Sequence, residues 1–138
     1  PNRTAVTPEL DSWLTANEPV SYLSVVSILE ISFGIERLRR KGATQKAARL
    51  CDWFHVVQFR FASRIIDCDR EVSMLAGQLL VNAKMSGIEA SSEDALIGAT
   101  ASVRGLRVVT FNLKDFRPMG VSCLDPETLT APDCGPSL

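Results

Sequence analysis

The sequence predicts an α/β domain with a short, mostly parallel sheet flanked by helices. Short apolar runs at Val20–Val25, Arg64–Ile66, Arg107–Thr110 and Val121–Leu124 have the composition of buried strands. Between them lie segments whose apolar residues recur at helical spacing. Strands alternating with amphipathic helices are most simply arranged as parallel strands joined by helical crossovers. With 138 residues, 46% of them hydrophobic and 22% charged, the chain can bury one sizeable core, so residues 1–138 read as a single domain.

Each element has a local justification. Thr7-Pro8-Glu9 places a capping residue, a proline and an acid ahead of Leu10, Trp13 and Leu14, predicting a short first helix that Pro19 closes. After the strand at Val20–Val25, Ser24 or Ser27 can cap a second helix through Ile28, Leu29, Ile31, Phe33, Ile35 and Leu38. It ends in Arg39-Arg40-Lys41 and Gly42, the cationic last turn and glycine stop that helices favour. A third helix is expected from Thr44 to Ser63, with Ala48, Cys51, Phe54, Val57 and Phe61 at helical spacing, before the strand at Arg64–Ile66. Asp69 can cap a fourth helix through Val72, Leu75, Ala76, Leu79, Leu80 and Ala83, ended by Gly87. Ser91 or Ser92 begins a fifth, which carries Asp94, Ala95, Ile97, Gly98, Ala101 and Ser102 and stops at Gly105. Arg107–Thr110 is a strand, Pro118 and Gly120 break the next segment, and Val121–Leu124 is the last strand. From about residue 130 to 138 the chain reads as a disordered tail.

Composition narrows the function classes. A net charge of -1 does not announce a nucleic-acid binder, so any RNA contact must come from a local basic patch. Cys51, Cys68, Cys123 and Cys134 are widely spaced, with no C-x-x-C pair and only His55 to complement them, which argues against zinc. Reduced thiols in a cytoplasm are the simpler expectation, with no secretory leader and no apolar run of membrane-spanning length. The lack of a glycine-rich turn excludes P-loop and dinucleotide enzymes. Because the chain starts at Pro1 with no initiator methionine, a preceding N-terminal piece is expected.

Three segments hold residues that can carry chemistry. Glu30 interrupts the otherwise apolar and serine-bearing stretch Val25–Phe33, so it must face solvent, a basic partner or a metal. The plain alternative is an acid on the solvated stripe of a helix. Asp94 begins a helix of small residues; it can simply complement the helix dipole with Glu93, or be held in place by the tight packing those small residues allow. Asn112 and Asp115 follow the strand at Val108-Val109, where the crevice of a parallel sheet opens, though either side chain can instead bond its own turn.

Together these segments resemble a family. Leu23-Ser24-Val25-Val26-Ser27-Ile28-Leu29-Glu30-Ile31-Ser32-Phe33-Gly34-Ile35 is similar to the second conserved block of VapC and FitB-like PIN domains. Asp94-Ala95-Leu96-Ile97-Gly98-Ala99-Thr100-Ala101 resembles the third block, and Gly105–Phe116 the fourth. The resemblance covers nearly the whole chain and implies a three-layer PIN-like fold. It further implies a cytoplasmic toxin ribonuclease that uses Mg²⁺ or Mn²⁺ to cleave RNA. Carried over, Glu30 and Asp94 are metal ligands. Asn112 stands where many relatives have a fourth acid, and Asp115 is an alternative or auxiliary carboxylate and metal ligand. Arg37, Arg40 and Lys114 are candidate RNA contacts, with Arg39, Lys41 and Arg117 nearby. Phe111 replaces the arginine usual in the fourth block. Nothing before Thr7 matches the family's first strand with its Asp-Thr-Asn motif, so that strand and its aspartate are expected to be missing from this chain.

The implied partners are RNA, a VapB-like antitoxin and a second copy of the chain, with no membrane. The helices around Trp13 and from Trp53 to Phe61 are candidate surfaces for them, their aromatic residues reading as core or interface rather than base-stacking platforms. A competing reading is a catalytically impaired PIN-like module that retains antitoxin or RNA binding. A receiver-like phosphoacceptor domain is weaker, for want of a strand followed by lysine. His55 reads as structural.

Overall fold

The computed structural model describes residues 8–128. In chain order they form α1 (Pro8–Asn17), β1 (Leu23–Ser24), α2 (Val25–Arg40), α3 (Thr44–Arg60), β2 (Ile65–Ile66) and α4 (Arg70–Met85). There follow α5 (Ser92–Arg104), β3 (Val108–Val109), α6 (Leu113–Phe116) and β4 (Cys123–Leu124). The expected α/β class holds, with helices far outweighing strands. Thr7 and the tail beyond 128 lie outside the described residues.

The sheet is in two halves. β1 pairs parallel with β2, Leu23 opposite Ile65 and Ser24 opposite Ile66; β3 pairs parallel with β4, Val108 opposite Cys123 and Val109 opposite Leu124. Among the described residues no ladder joins the two pairs. The amides of Val108 and Thr110 donate to the carbonyls of Ser122 and Leu124 at 2.9 and 3.0 Å, so these residues face β4. Alternation along a parallel strand then turns the backbone of Val109 to the opposite edge, away from β4.

The core forms where α4 packs along α5. Val72, Ala76, Leu79 and Ala83 of α4 meet Ala95, Ala99 and Ala101 of α5, and Val108, Phe116, Met119 and Val121 close over them. Small residues let α5 sit deep. A Cβ on Gly98 would lie 2.9 Å from Cγ2 of Val121, closer than ordinary contact permits. Gly105, with φ at 66°, takes the left-handed position that ends the helix and that side chains resist.

The strands are shorter than the sequence suggests, for local reasons. Pro19 draws Glu18–Val20 into a 3-10 turn, and the Ser24 hydroxyl accepts from the Val26 amide at 3.1 Å, so the helix begins at Val25. Of the two serines weighed as caps, Ser24 is the one used. α3 stops at Arg60 rather than Ser63 because Ala62–Arg64 tightens into a 3-10 turn. There the Arg64 guanidinium donates to the Ser21 carbonyl at 2.9 Å and lies 5.0 Å from the centre of the Phe61 ring. The segment expected to be a broken loop after β3 contains α6 and the 3-10 turn Arg117–Met119. Burial of Phe116 and Met119, each 2% exposed, holds it in place.

Candidate active site

Three local devices place the acids. Ser24 starts α2 directly off the end of β1, so Glu30 stands in the helix's second turn. Ser91 caps α5: its hydroxyl accepts from the Asp94 amide at 3.0 Å, fixing Glu93 and Asp94 in the first turn, where the helix dipole favours anions. After β3, the Thr110 hydroxyl accepts from the Asn112 amide at 2.9 Å and turns the chain into α6, which carries Asp115.

These ends converge on a hollow of about 390 Å³ lined on one side by Leu23 of β1 and on the other by Val109 of β3. Glu30, Asp94, Thr110 and Asn112 also line it. Trp13 reaches the same hollow, is 3% exposed, and has an indole N–H without a hydrogen-bond partner among the described residues. The space lies between strands that belong to different halves of the sheet. A smaller hollow of about 290 Å³, lined by Leu29, Glu30, Phe33 and Glu93, adjoins it at Glu30.

The electrostatics are those of crowded like charges. Partial burial pushes the Glu30 carboxyl above its ordinary value, and the charges of Asp94 and then Glu93 push it further. Asp94 is also raised, first by burial and then by Asp115, with a smaller push from Glu93; the hydrogen bond at Ser91 pulls the other way. Glu93 and Asp115 thus lie near enough for their charges to bear on the two raised carboxyls. No cation is among the influences on either raised carboxyl, so a bound cation would relieve both.

The donor chemistry fits a hard divalent ion, since the converging groups are all oxygens. Glu30 and Asp94 are the residues that would hold it. The cage is open, however: among the described residues, no three of the His, Cys, Asp or Glu side chains are grouped so as to hold a metal ion. Asp115 is felt by Asp94 but does not close the set.

The other candidates are spread more widely. Arg37 is exposed and follows Glu30 by two turns on the same helix face, roughly 10 Å along the axis. Arg40 is also exposed, but its Nε pairs with Glu36 at 3.0 Å, as does Nη1 of Arg39 at 3.2 Å. Lys114 is exposed on α6. None of Arg37, Arg40 and Lys114 lines the hollow. Of the aromatic residues read as core or interface, Trp13 and Phe54 are buried, whereas Trp53 and Phe59 are 51% and 84% exposed. Leu29 and Phe33, among the apolar residues that mark the second helix, are 57% and 65% exposed beside Glu30. His55 is exposed on α3, and Cys51, Cys68 and Cys123 are free thiols. Glu93 was read only as a helix-end charge; its place next to Asp94 was the one available signal of a larger role.

A short parallel sheet with helices around it and acids converging at the strand ends is the form of a nuclease domain. The PIN domain family model matches residues 6–120, and the chain belongs to that family, whose members are generally nucleases. The expected family and fold are thus borne out. Among solved structures the chain is similar to FitAcB from Neisseria gonorrhoeae, with a TM-score of 0.78 and 26% identity over 92% of this chain and 91% of that one. It is also similar to FitAB bound to an IR36 DNA fragment, with a TM-score of 0.74 and 25% identity over 90% of this chain and 86% of that one. No curated protein matches the chain. Among the described residues no helix is long and apolar enough to cross a membrane.

Proposed function

We propose that the protein is a metal-dependent endoribonuclease, the toxin of a toxin–antitoxin pair, acting in the cytoplasm. The observation that carries this reading is the convergence of Glu30 and Asp94 on one hollow, each raising the demand for a cation. Bound Mg²⁺ or Mn²⁺ would supply an activated water and neutralise charge on the phosphate undergoing attack. Glu30 and Asp94 hold the ion, Asp115 adds negative field, and Asn112 offers a neutral oxygen where many relatives have an acid. Arg37 and Lys114 lie free at the surface to position the RNA backbone, and Arg40 joins them by exchanging Glu36 for phosphate. A VapB-like antitoxin and a second copy of the chain are the proposed protein partners. The two-part names FitAcB and FitAB support a second polypeptide, and the DNA fragment with FitAB supports an assembly that meets nucleic acid.

The test is cleavage of single-stranded and structured RNA, with DNA of the same sequence alongside, in Mg²⁺, Mn²⁺ and chelator. RNA cleavage that needs the ion and disappears in Asp94→Asn supports the reading; no cleavage, or cleavage unchanged by Asp94→Asn, rejects it. The open carboxylate set favours one other reading, a catalytically impaired module that still grips its antitoxin or RNA. An inactive chain that binds RNA with or without divalent ions would select it.

A further inference from the structure

A second polar hollow gathers residues from the places where the chain enters its strands. It measures about 460 Å³ and is lined by Tyr22 ahead of β1, by Ser63 to Asp67 through β2, and by Arg104 and Leu106 ahead of β3. Among the described residues, Tyr22 is the one it shares with the hollow at Glu30. Part of the wall is apolar, with Ile66 and Leu106 each 8% exposed. Its charged residues are Arg64, Arg104 and Asp67, two cations and an anion in a chain of net charge -1.

The two arginines are held differently. Arg64 is anchored: Nε donates to the Ser21 carbonyl at 2.9 Å, Nη2 donates to the Arg60 carbonyl at 3.3 Å, and the guanidinium lies 5.0 Å from the centre of the Phe61 ring. These contacts fix the guanidinium and leave Nη1 without a hydrogen bond among the described residues. Arg104 is exposed in the last turn of α5, where the helix dipole favours a cation. The dipole accounts for one cation at the hollow but not for two. Asp67 is exposed just past β2, and among the described residues no ion pair joins it to either arginine.

We infer that this hollow binds a ribonucleoside monophosphate, with its phosphate on Arg64 and Arg104 and its ribose hydroxyls on Asp67. The lining rules out the simpler ligands in turn. Two guanidinium groups repel a metal cation, and an apolar ligand would strip water from three charged side chains without replacing it. A small inorganic anion would satisfy the arginines, whose planar donors suit phosphate oxygens, but would meet Asp67 as a like charge. A carboxylate accepts hydrogen bonds from neighbouring hydroxyls, and acidic residues recognise ribose in this way at dinucleotide sites. The apolar wall at Ile65, Ile66 and Leu106, with the Tyr22 ring, offers surface for a base. The volume falls within the range of roughly 300–1,000 Å³ usual for small-molecule sites. Neither Glu30 nor Asp94 lines this hollow, so the assignment stands apart from the nuclease reading.

The test is an NMR titration of the full chain with adenosine 5′-monophosphate in chelator, which removes any metal bridge to the acids. The expected result is saturable binding with a dissociation constant of about 1 mM or lower, with amide shifts at Ile65–Asp67 and Leu106. Arg104→Gln should weaken it roughly tenfold or more through the lost charged hydrogen bonds, and Glu30→Gln/Asp94→Asn should leave it unchanged. The 2′-deoxynucleotide and inorganic phosphate should bind the wild type more weakly, and Asp67→Asn should bring the ribonucleotide down to the level of the deoxynucleotide. Arg104 and Asp67 are exposed, so neither substitution opens the core. A short single-stranded RNA that loses affinity in Arg104→Gln as the nucleotide does assigns the site to one unit of an RNA strand; an RNA indifferent to it assigns the site to the free nucleotide. No saturable binding, binding untouched by both Arg104→Gln and Asp67→Asn, or phosphate binding as tight as the nucleotide's overturns the inference.

Discussion

Gly98→Ala isolates the feature that sets the depth of α5 and, one turn away, the position of Asp94. Two effects oppose each other. Replacing glycine by alanine in a helix interior favours folding by about 1 kcal/mol through propensity alone. The added Cβ, however, lies 2.9 Å from Cγ2 of Val121, while Leu79 Cδ1 at 3.6 Å and Phe116 Cδ1 at 3.7 Å remain in ordinary contact. Val121 is 5% exposed and β-branched, so its χ1 has little freedom to carry the methyl away. Overpacking of this kind costs roughly 1–3 kcal/mol. The expected net effect is a destabilisation of about 1 kcal/mol, or a fall of roughly 0.5 M in the urea midpoint at an ordinary slope for a domain of this size. The clash has one principal partner. Val121→Ala alone should cost about 2 kcal/mol in lost burial and cavity, but Gly98→Ala added on that background should stabilise. A urea-denaturation cycle of the four proteins measures the coupling. A coupling within about 0.3 kcal/mol of zero, or a Gly98→Ala protein more stable than wild type, would falsify the account of why α5 is glycine-bearing.

Further outcomes concern the acids and their supports. Glu30 and Asp94 have folded-state values raised above their ordinary 4.5 and 3.8, so the folded state holds protons more tightly than the unfolded state. The sign follows: without metal, the contribution of this pair to stability is fully present below their ordinary values, at about pH 4, and is lost as pH rises through the raised values. Thermal melts in chelator from about pH 4 to pH 7 should show that decline flattened in Glu30→Gln/Asp94→Asn; an unchanged slope would count against the crowding of charge. At neutral pH each single neutralisation should raise the melting temperature in chelator yet abolish cleavage, a split that distinguishes a site residue from a structural one. Calorimetric titration with Mn²⁺ should find weak binding to the wild type, because only two carboxylates converge, and stronger binding to Asn112→Asp; equal affinity would place Asn112 outside the ion's reach. Ser91→Ala should cost about 1 kcal/mol as a lost helix cap and lower cleavage as well, since the same hydroxyl anchors the Asp94 amide.

Much of this arrangement was legible in the sequence, and the reasons for success and failure differ by element. α4 and α5 have both a cap and a stop written locally, at Asp69, Ser91, Gly87 and Gly105, so their expected bounds hold to within a residue or two. Ser24 or Ser27 were indistinguishable as caps because both precede apolar runs; only the end of β1 settles the matter. The strands were overestimated because apolar composition marks burial, not pairing. Val20 and Val121 satisfy the composition but lie outside the ladders. α6 was missed because four residues make too short a period to read, and what fixes it is the tertiary burial of Phe116. The acids at Glu30 and Asp94 were legible through the blocks around them, whereas their coupling to Glu93 and Asp115 depends on packing between elements far apart in sequence. The exposure of Leu29 and Phe33 was unreadable for a related reason. An apolar residue at helical spacing declares that it can be buried, not that a neighbour is there to bury it.

The divided sheet and the open carboxylate set have a common geometric origin. Each acid stands on a helix that follows its own strand or cap: Glu30 after β1, Asp94 after the Ser91 cap, Asp115 after β3. The distance between Glu30 and the other two is therefore set by how the half of the sheet containing β1 sits against the half containing β3. Among the described residues no ladder fixes that relation, and the backbone of Val109 faces away from β4 on the side of the hollow. What ties the halves is the shared core, in which Val26 and Ile66 belong to one cluster with α4, α5, Val108 and Val121, together with the contact of α2 with α5.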